Sequence, residues 1–235
     1  MSLLFRRQER IIGVLNKDGG FMENEIISRA LAYVKAIFAN DFSGHDYFHT
    51  FRVYKMATYI AEKEKANLEV VQLSALLHDV DDRKLFPETY AEKGNARRFL
   101  QENGVEDGKI AEILRIIGEI SYAGKDSVVP ASLEGKCAQD ADRLDAIGAI
   151  GVARAFAYGG NHNRLLYDPE EKPKMDMDKA EYYNHKSTTI NHFYEKLFLL
   201  TDMMNTPTAK AIAQERERYM RGFVEEFLQE WEGLR

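Results

Sequence analysis

The chain has 235 residues, 45% of them hydrophobic and 30% charged, with a formal net charge of −6. That length and apolar share suffice for a buried core and exclude a disordered chain, and the acidic excess argues against a broad nucleic-acid surface. Cys137 is the only cysteine, which rules out an intrachain disulfide or a cysteine-based zinc cluster and fits the reducing cytoplasm. No apolar run reaches the roughly 18 residues of a spanning helix; residues 146–160 come nearest and include Arg154. Leu3, Leu4 and Phe5 are too short a run for a secretory signal, so neither membrane nor export is expected.

Residues 1–21 crowd Arg6, Arg7, Glu9 and Arg10 ahead of Lys17-Asp18-Gly19-Gly20, and read as an N-terminal extension not native to the domain. The domain is expected to begin at Met22 and to run as one unit to Arg235. From 23 to 40, Ile26, Ile27, Ala30, Leu31, Val34, Ile37 and Phe38 recur at the steps of an amphipathic helix. Phe48, Phe51, Met56, Tyr59 and Ile60 form a second stripe. Asn67 can cap a third helix whose Val70, Val71, Leu73, Ala75, Leu76 and Leu77 are apolar nearly all round, the mark of a central element. It leads straight into His78-Asp79.

Asn103-Gly104 supplies a helix stop, and Ile110, Ile113, Leu114 and Ile117 the stripe that follows. Residues 159–178, with Pro169 and Pro173, are expected to form a loop or lid. Thr206-Pro207 gives an N-cap with proline at the first helical position, opening a final helix with Ile212, Phe223, Phe227 and Trp231. Glu215-Arg216-Glu217-Arg218 reads as its solvated face. Strand alternation is nearly absent, so the expected class is all-α.

Histidine and aspartate fall in three groups: His45-Asp46-Tyr47-Phe48-His49, His78-Asp79-Val80-Asp81-Asp82 and Asp140-Ala141-Asp142-Arg143-Leu144-Asp145. A divalent metal needs ligands converging from several elements, because one helix face presents at most two. His78 and Asp79 point about 100° apart on a regular helix. Both can reach one ion only at a helix end.

His49, His78-Asp79 and Asp142 resemble the H…HD…D signature of the HD superfamily of metal-dependent phosphohydrolases, an all-α helical bundle. The phrases from Gly44 to Val53, from Ala75 to Asp79, from Gln139 to Gly148 and from Ile190 to Leu197 resemble a bacterial branch that includes nucleotide pyrophosphohydrolases. The resemblance implies one ion held by His49, His78, Asp79 and Asp142, the Ala-Asp-Arg-Leu phrase selecting Asp142 over Asp140 or Asp145. Manganese is favoured, with magnesium, cobalt, iron or zinc also compatible. It implies a nucleotide or other phosphorylated small molecule as the partner, and (deoxy)nucleoside triphosphate cleavage with pyrophosphate release as the activity. Asp82, four residues after His78, would orient the attacking water or shuttle a proton, with Asp81 as the less favoured neighbour. Two imidazoles, two carboxylates and a divalent ion sum to about zero charge, so phosphate needs further cations. Arg52, one turn after His49, is the first candidate, for a phosphate contact or a brace on Asp142. Arg83, Lys84 and Lys125 are weaker ones, and His45 is placed in the pocket lining or behind the ligands.

Three other readings compete. His45 and His49 at i, i+4, with Asp46 between them, imitate a zinc peptidase helix, but aspartate is a methylene shorter than the required base and His78-Asp79 would be idle. A phosphomonoesterase or phosphodiesterase uses the same chemistry on another bond. A nucleotide-sensing module would keep the metal without turnover. Cys137 is read as a buried packing thiol, and His162, His185 and His192 as surface or packing residues with nucleotide contact as the lesser alternative. Tyr182, Tyr183, Phe193 and Tyr194 are read as core aromatics.

Overall fold

The structure is a computed structural model that describes residues 13–15, 21–23, 25–39, 46–83 and 85–235. The fold is all-α, apart from a short antiparallel hairpin of β1 (Gly13–Leu15) and β2 (Phe21–Glu23). Val14 stands opposite Met22 in its register. The chain divides into two compact units, Met1–Gly118 and Glu119–Arg235.

In the first unit, α1 (Glu25–Ile37) buries Ile27, Ala30 and Val34, the inward line of its predicted stripe. α2 (Tyr47–Glu64) starts where Asp46 accepts a hydrogen bond from the His49 amide at 2.8 Å and ends at Lys65 in the left-handed conformation, φ 62°. Its buried line is Val53, Ala57, Ile60 and Ala61. Phe48 and Tyr59, assigned to that stripe from sequence, lie on the far side and are exposed. α3 (Leu68–Leu77) is capped by the Asn67 carboxamide, which accepts from the Val70 amide at 3.3 Å. It packs against both α1 and α2 and buries seven of its residues. Each buried valine or leucine there contributes on the order of 1.5–3 kcal/mol, which makes α3 the rigid post that carries His78-Asp79. α4 (Gly94–Glu102) and α5 (Asp107–Ile120) follow, with the expected stop between them at Gly104, φ 70°.

In the second unit, α6 (Leu133–Asp145) is capped by Ser132 and turns sharply at Gly148, φ 77°, into α7 (Gly148–Asn161). A Cβ at Gly148 would lie 3.0 Å from the Arg216 side chain, so only glycine serves both the backbone conformation and the contact. α8 (Lys179–Asn184) and α9 (Thr189–His192) come next, α9 running on through a π turn at Phe193–Leu197 and a 3-10 turn at Phe198–Leu200. α10 (Pro207–Trp231) opens on the predicted Thr206 cap and packs on α6 and α7. There Phe156, Phe193 and Phe223 form a ring cluster with centroids 5.8–6.2 Å apart.

Of the segment expected as a loop or lid, residues 159–161 complete α7 and the remainder to Asp178 is irregular. It is fastened along its length. Leu165 and Leu166 carbonyls accept from the Thr189 and Ile190 amides, the Lys174 amide donates to buried Glu195, and Met177 is buried. Arg216, expected in solvent, is half-buried and donates to the Leu144 carbonyl. Among the described residues, no helix is long and apolar enough to cross a membrane.

Candidate metal centre

α3 stops at Leu77, and His78 is its C-cap, followed by a turn in which the Asp82 amide donates to the Asp79 carbonyl at 3.0 Å. This is the helix end that two adjacent ligands require. His49 enters from the first turn of α2. Nε2 of His78 is 3.1 Å and Nε2 of His49 is 3.4 Å from Oδ2 of Asp79, with one ligand atom from each residue within 4.8 Å of the other two. His49 is 2% and Asp79 8% exposed, so an uncompensated carboxylate there is costly.

Nδ1 of His78 lies 2.9 Å from the Ala75 carbonyl oxygen, which only accepts, so Nδ1 carries the hydrogen. In the neutral ring, Nε2 then presents a lone pair to a carboxylate oxygen. Two acceptors this close repel unless a positive species lies between them. Ligands held at about 2.1 Å in adjacent octahedral positions are about 3 Å apart, which matches the observed spacing. The donor set therefore fits a divalent cation, and the Ala75 hydrogen bond fixes the tautomer that binding needs.

The carboxylates around this cluster serve different ends. Asp46, which imitates the peptidase base, is committed to the α2 cap. Asp81 is buried, and its two oxygens accept from the Asn95 and Ala96 amides, each at 2.9 Å. Lys93 at the N-cap position gives α4 no side-chain cap; Asp81 supplies one from another segment. Asp82 is half-buried after the helix has ended, so the turn and not helical periodicity places it. Arg52 is half-buried on α2, and Arg83 is exposed beside Asp82. Lys125 is exposed, and its charge helps hold the Glu181 carboxyl below the usual range, behind hydrogen bonds from the Asp178 amide and Lys174. His45 and Lys84 lie outside the described residues.

On α6, Asp140 accepts four hydrogen bonds at 2.8 Å from Asn205 and Thr206. Burial pushes its carboxyl up, and those donors offset part of the rise. Asp145 pairs with Arg154 at 2.6 Å. Both alternatives to Asp142 thus fasten the fold, while Asp142 between them is half-buried. Lys196 sits in the same unit, with Nζ 4.9 Å from the Tyr122 ring centroid and 5.4 Å from that of Tyr182. The sequence contains no sign of this grouping, because its members lie on three separated segments.

The HD-domain family matches residues 46–147. Bacillus subtilis YpgQ is 38% identical over 204 residues, spanning 86% of this chain and 92% of YpgQ. The chain belongs to the HD-domain family. As an HD-domain protein it is a metal-dependent hydrolase. Its fold is shared by a Lactobacillus plantarum protein, at TM-score 0.79 and 38% identity, over 91% of this chain and all of the other. A Bacillus thuringiensis HD-superfamily hydrolase superposes at TM-score 0.72 with 42% identity, over 90% of this chain and 99% of that one. YpgQ, crystallised in complex with ADP, superposes at TM-score 0.67 with 33% identity, over 87% of this chain and 96% of YpgQ.

Proposed function

We propose that this HD-domain protein is a cytoplasmic, manganese-dependent pyrophosphohydrolase that cleaves (deoxy)nucleoside triphosphates to the monophosphate and pyrophosphate. The observation that carries the reading is the buried convergence of His49, His78 and Asp79 on one point, with the His78 tautomer set for coordination. The ADP complex of YpgQ supports a nucleotide as substrate. The resemblance of the chain's Ala-Asp-Arg-Leu phrase to the HD signature assigns Asp142 as the second carboxylate of the ligand set.

When bound, a divalent ion supplies Lewis acidity at the phosphate and a water acidified toward neutral pH. Asp82 accepts or returns the proton of the attacking water at its carboxylate. Arg52 holds a phosphate oxygen or braces Asp142, and Arg83 and Lys125 add positive field at the rim. The buried imidazoles keep bulk water away from the cluster, and each electrostatic contact is stronger in those low-dielectric surroundings than in water.

The test is turnover of a nucleotide panel with manganese, magnesium, cobalt, iron or zinc, with products separated by chromatography. Pyrophosphate with nucleoside monophosphate supports the reading. Orthophosphate as the released product replaces it with a phosphomonoesterase. Binding without turnover under every metal replaces it with a sensing module.

A further inference from the structure

Lys196 is half-buried one turn after His192, and its ammonium stands over two phenol rings that themselves meet edge-on at 5.0 Å. A lysine that merely covers apolar surface lays its stem along it and sends the charge to water. Here the charge is kept inside a ring clamp. Burial works against that charge, and Tyr182, Asp142 and Tyr122 more than offset it, leaving the ammonium above its ordinary pKa. Among the described residues, no carboxylate forms an ion pair with Lys196. Nearby, His192 is pushed down to about 3 by burial and by the charges of Lys196, Arg164 and His185, so it stays neutral in a positive field. Glu195, the acidic neighbour in sequence, is occupied with His185 at 3.0 Å, Ser187 at 2.9 Å and the Lys174 amide.

We propose that Lys196, held by the rings of Tyr122 and Tyr182 beside Asp142, is a binding residue for the phosphate chain of the substrate. This rests on the reading of Asp142 as a metal ligand. With Asp142 committed to a cation, Lys196 is left facing two phenols, and an anion is its natural third partner. A fixed ammonium of this kind grips phosphate oxygens, and it rewards substrates that carry more than one phosphate. The rings add cation–π attraction and limit the side chain to one arrangement, so little entropy is lost when phosphate arrives.

The experiment is calorimetric titration of the full-length protein with inorganic tripolyphosphate, with Mn2+ affinity measured in parallel. Lys196→Met is expected to weaken tripolyphosphate about 10- to 100-fold and to raise KM for a nucleoside triphosphate similarly, without weakening Mn2+. Tyr182→Phe, which keeps the ring, is expected to weaken tripolyphosphate by a few-fold, and Lys196→Arg to restore part of what Lys196→Met loses. Should Lys196→Met fail to fold, as judged by circular dichroism, Tyr182→Phe and Lys196→Arg decide. Tripolyphosphate binding equal to wild type in the folded variants overturns the proposal. Absence of nucleotide turnover in the wild type would instead count against the pyrophosphohydrolase reading, and the tripolyphosphate titration would still judge Lys196.

Discussion

Asp81 and Asp82 are adjacent in sequence and have opposite surroundings. Asp81 has both oxygens on the first amides of α4, while Asp82 sits half-buried in the turn beyond His78-Asp79. Replacing Asp81 by alanine is therefore expected to lower stability by about 1–2 kcal/mol in urea denaturation, as the loss of a charged cap does. Asp82→Asn is expected to leave the denaturation midpoint almost unchanged and to lower kcat about 100-fold or more. Equal effects of the two changes on kcat would contradict this division. The grouping of His49, His78 and Asp79 was legible from sequence because their types and order are specific. The role of Asp81 was not, since it depends on α4 arriving from 14 residues away. Lys196 was hidden for the same reason, its partners being Tyr122 and Tyr182.

Helix starts at Asn67 and Thr206 were readable because a cap is a contact within three residues. The end of α3 at Leu77 follows from the same local logic. Side chains that bind one element to another were not readable. Arg216 belongs to an alternating charge run that looks solvated, yet it reaches the Leu144 carbonyl at the end of α6. Asp140 fastens α6 to the entry of α10 through both the amide and the side chain of Asn205 and of Thr206. Asp140→Ala strands those donors and is expected to cost about 3 kcal/mol, a loss measurable by urea denaturation. Asp140→Asn, which keeps one acceptor oxygen, should cost less. A loss under about 0.5 kcal/mol for Asp140→Ala would show that α6 is not secured in this way.

The all-α class was legible from residue 25 onward because helical periodicity outweighs every strand signal there. A chain-wide property follows from His192, whose pKa falls from its ordinary 6.5 to about 3 through burial and the neighbouring charges of Lys196, Arg164 and His185. Between those values the unfolded chain binds a proton at this residue that the folded one refuses. Stability from this residue is thus fully present above about pH 6.5 and lost as pH falls toward 3. Urea denaturation across that window should show stability rising with pH, and His192→Gln should flatten the slope by up to about 1.4 kcal/mol per pH unit. Identical slopes would show that His192 does not set this pH dependence. The proposed function requires His49, His78, Asp79 and Asp142 to hold one divalent ion together. Its most direct test is a Mn2+ titration of metal-free protein followed by electron paramagnetic resonance. The expected result is one tight site per chain, lost in His78→Ala and weakened at least tenfold in Asp142→Asn. Retention of that site at wild-type affinity in His78→Ala would contradict it.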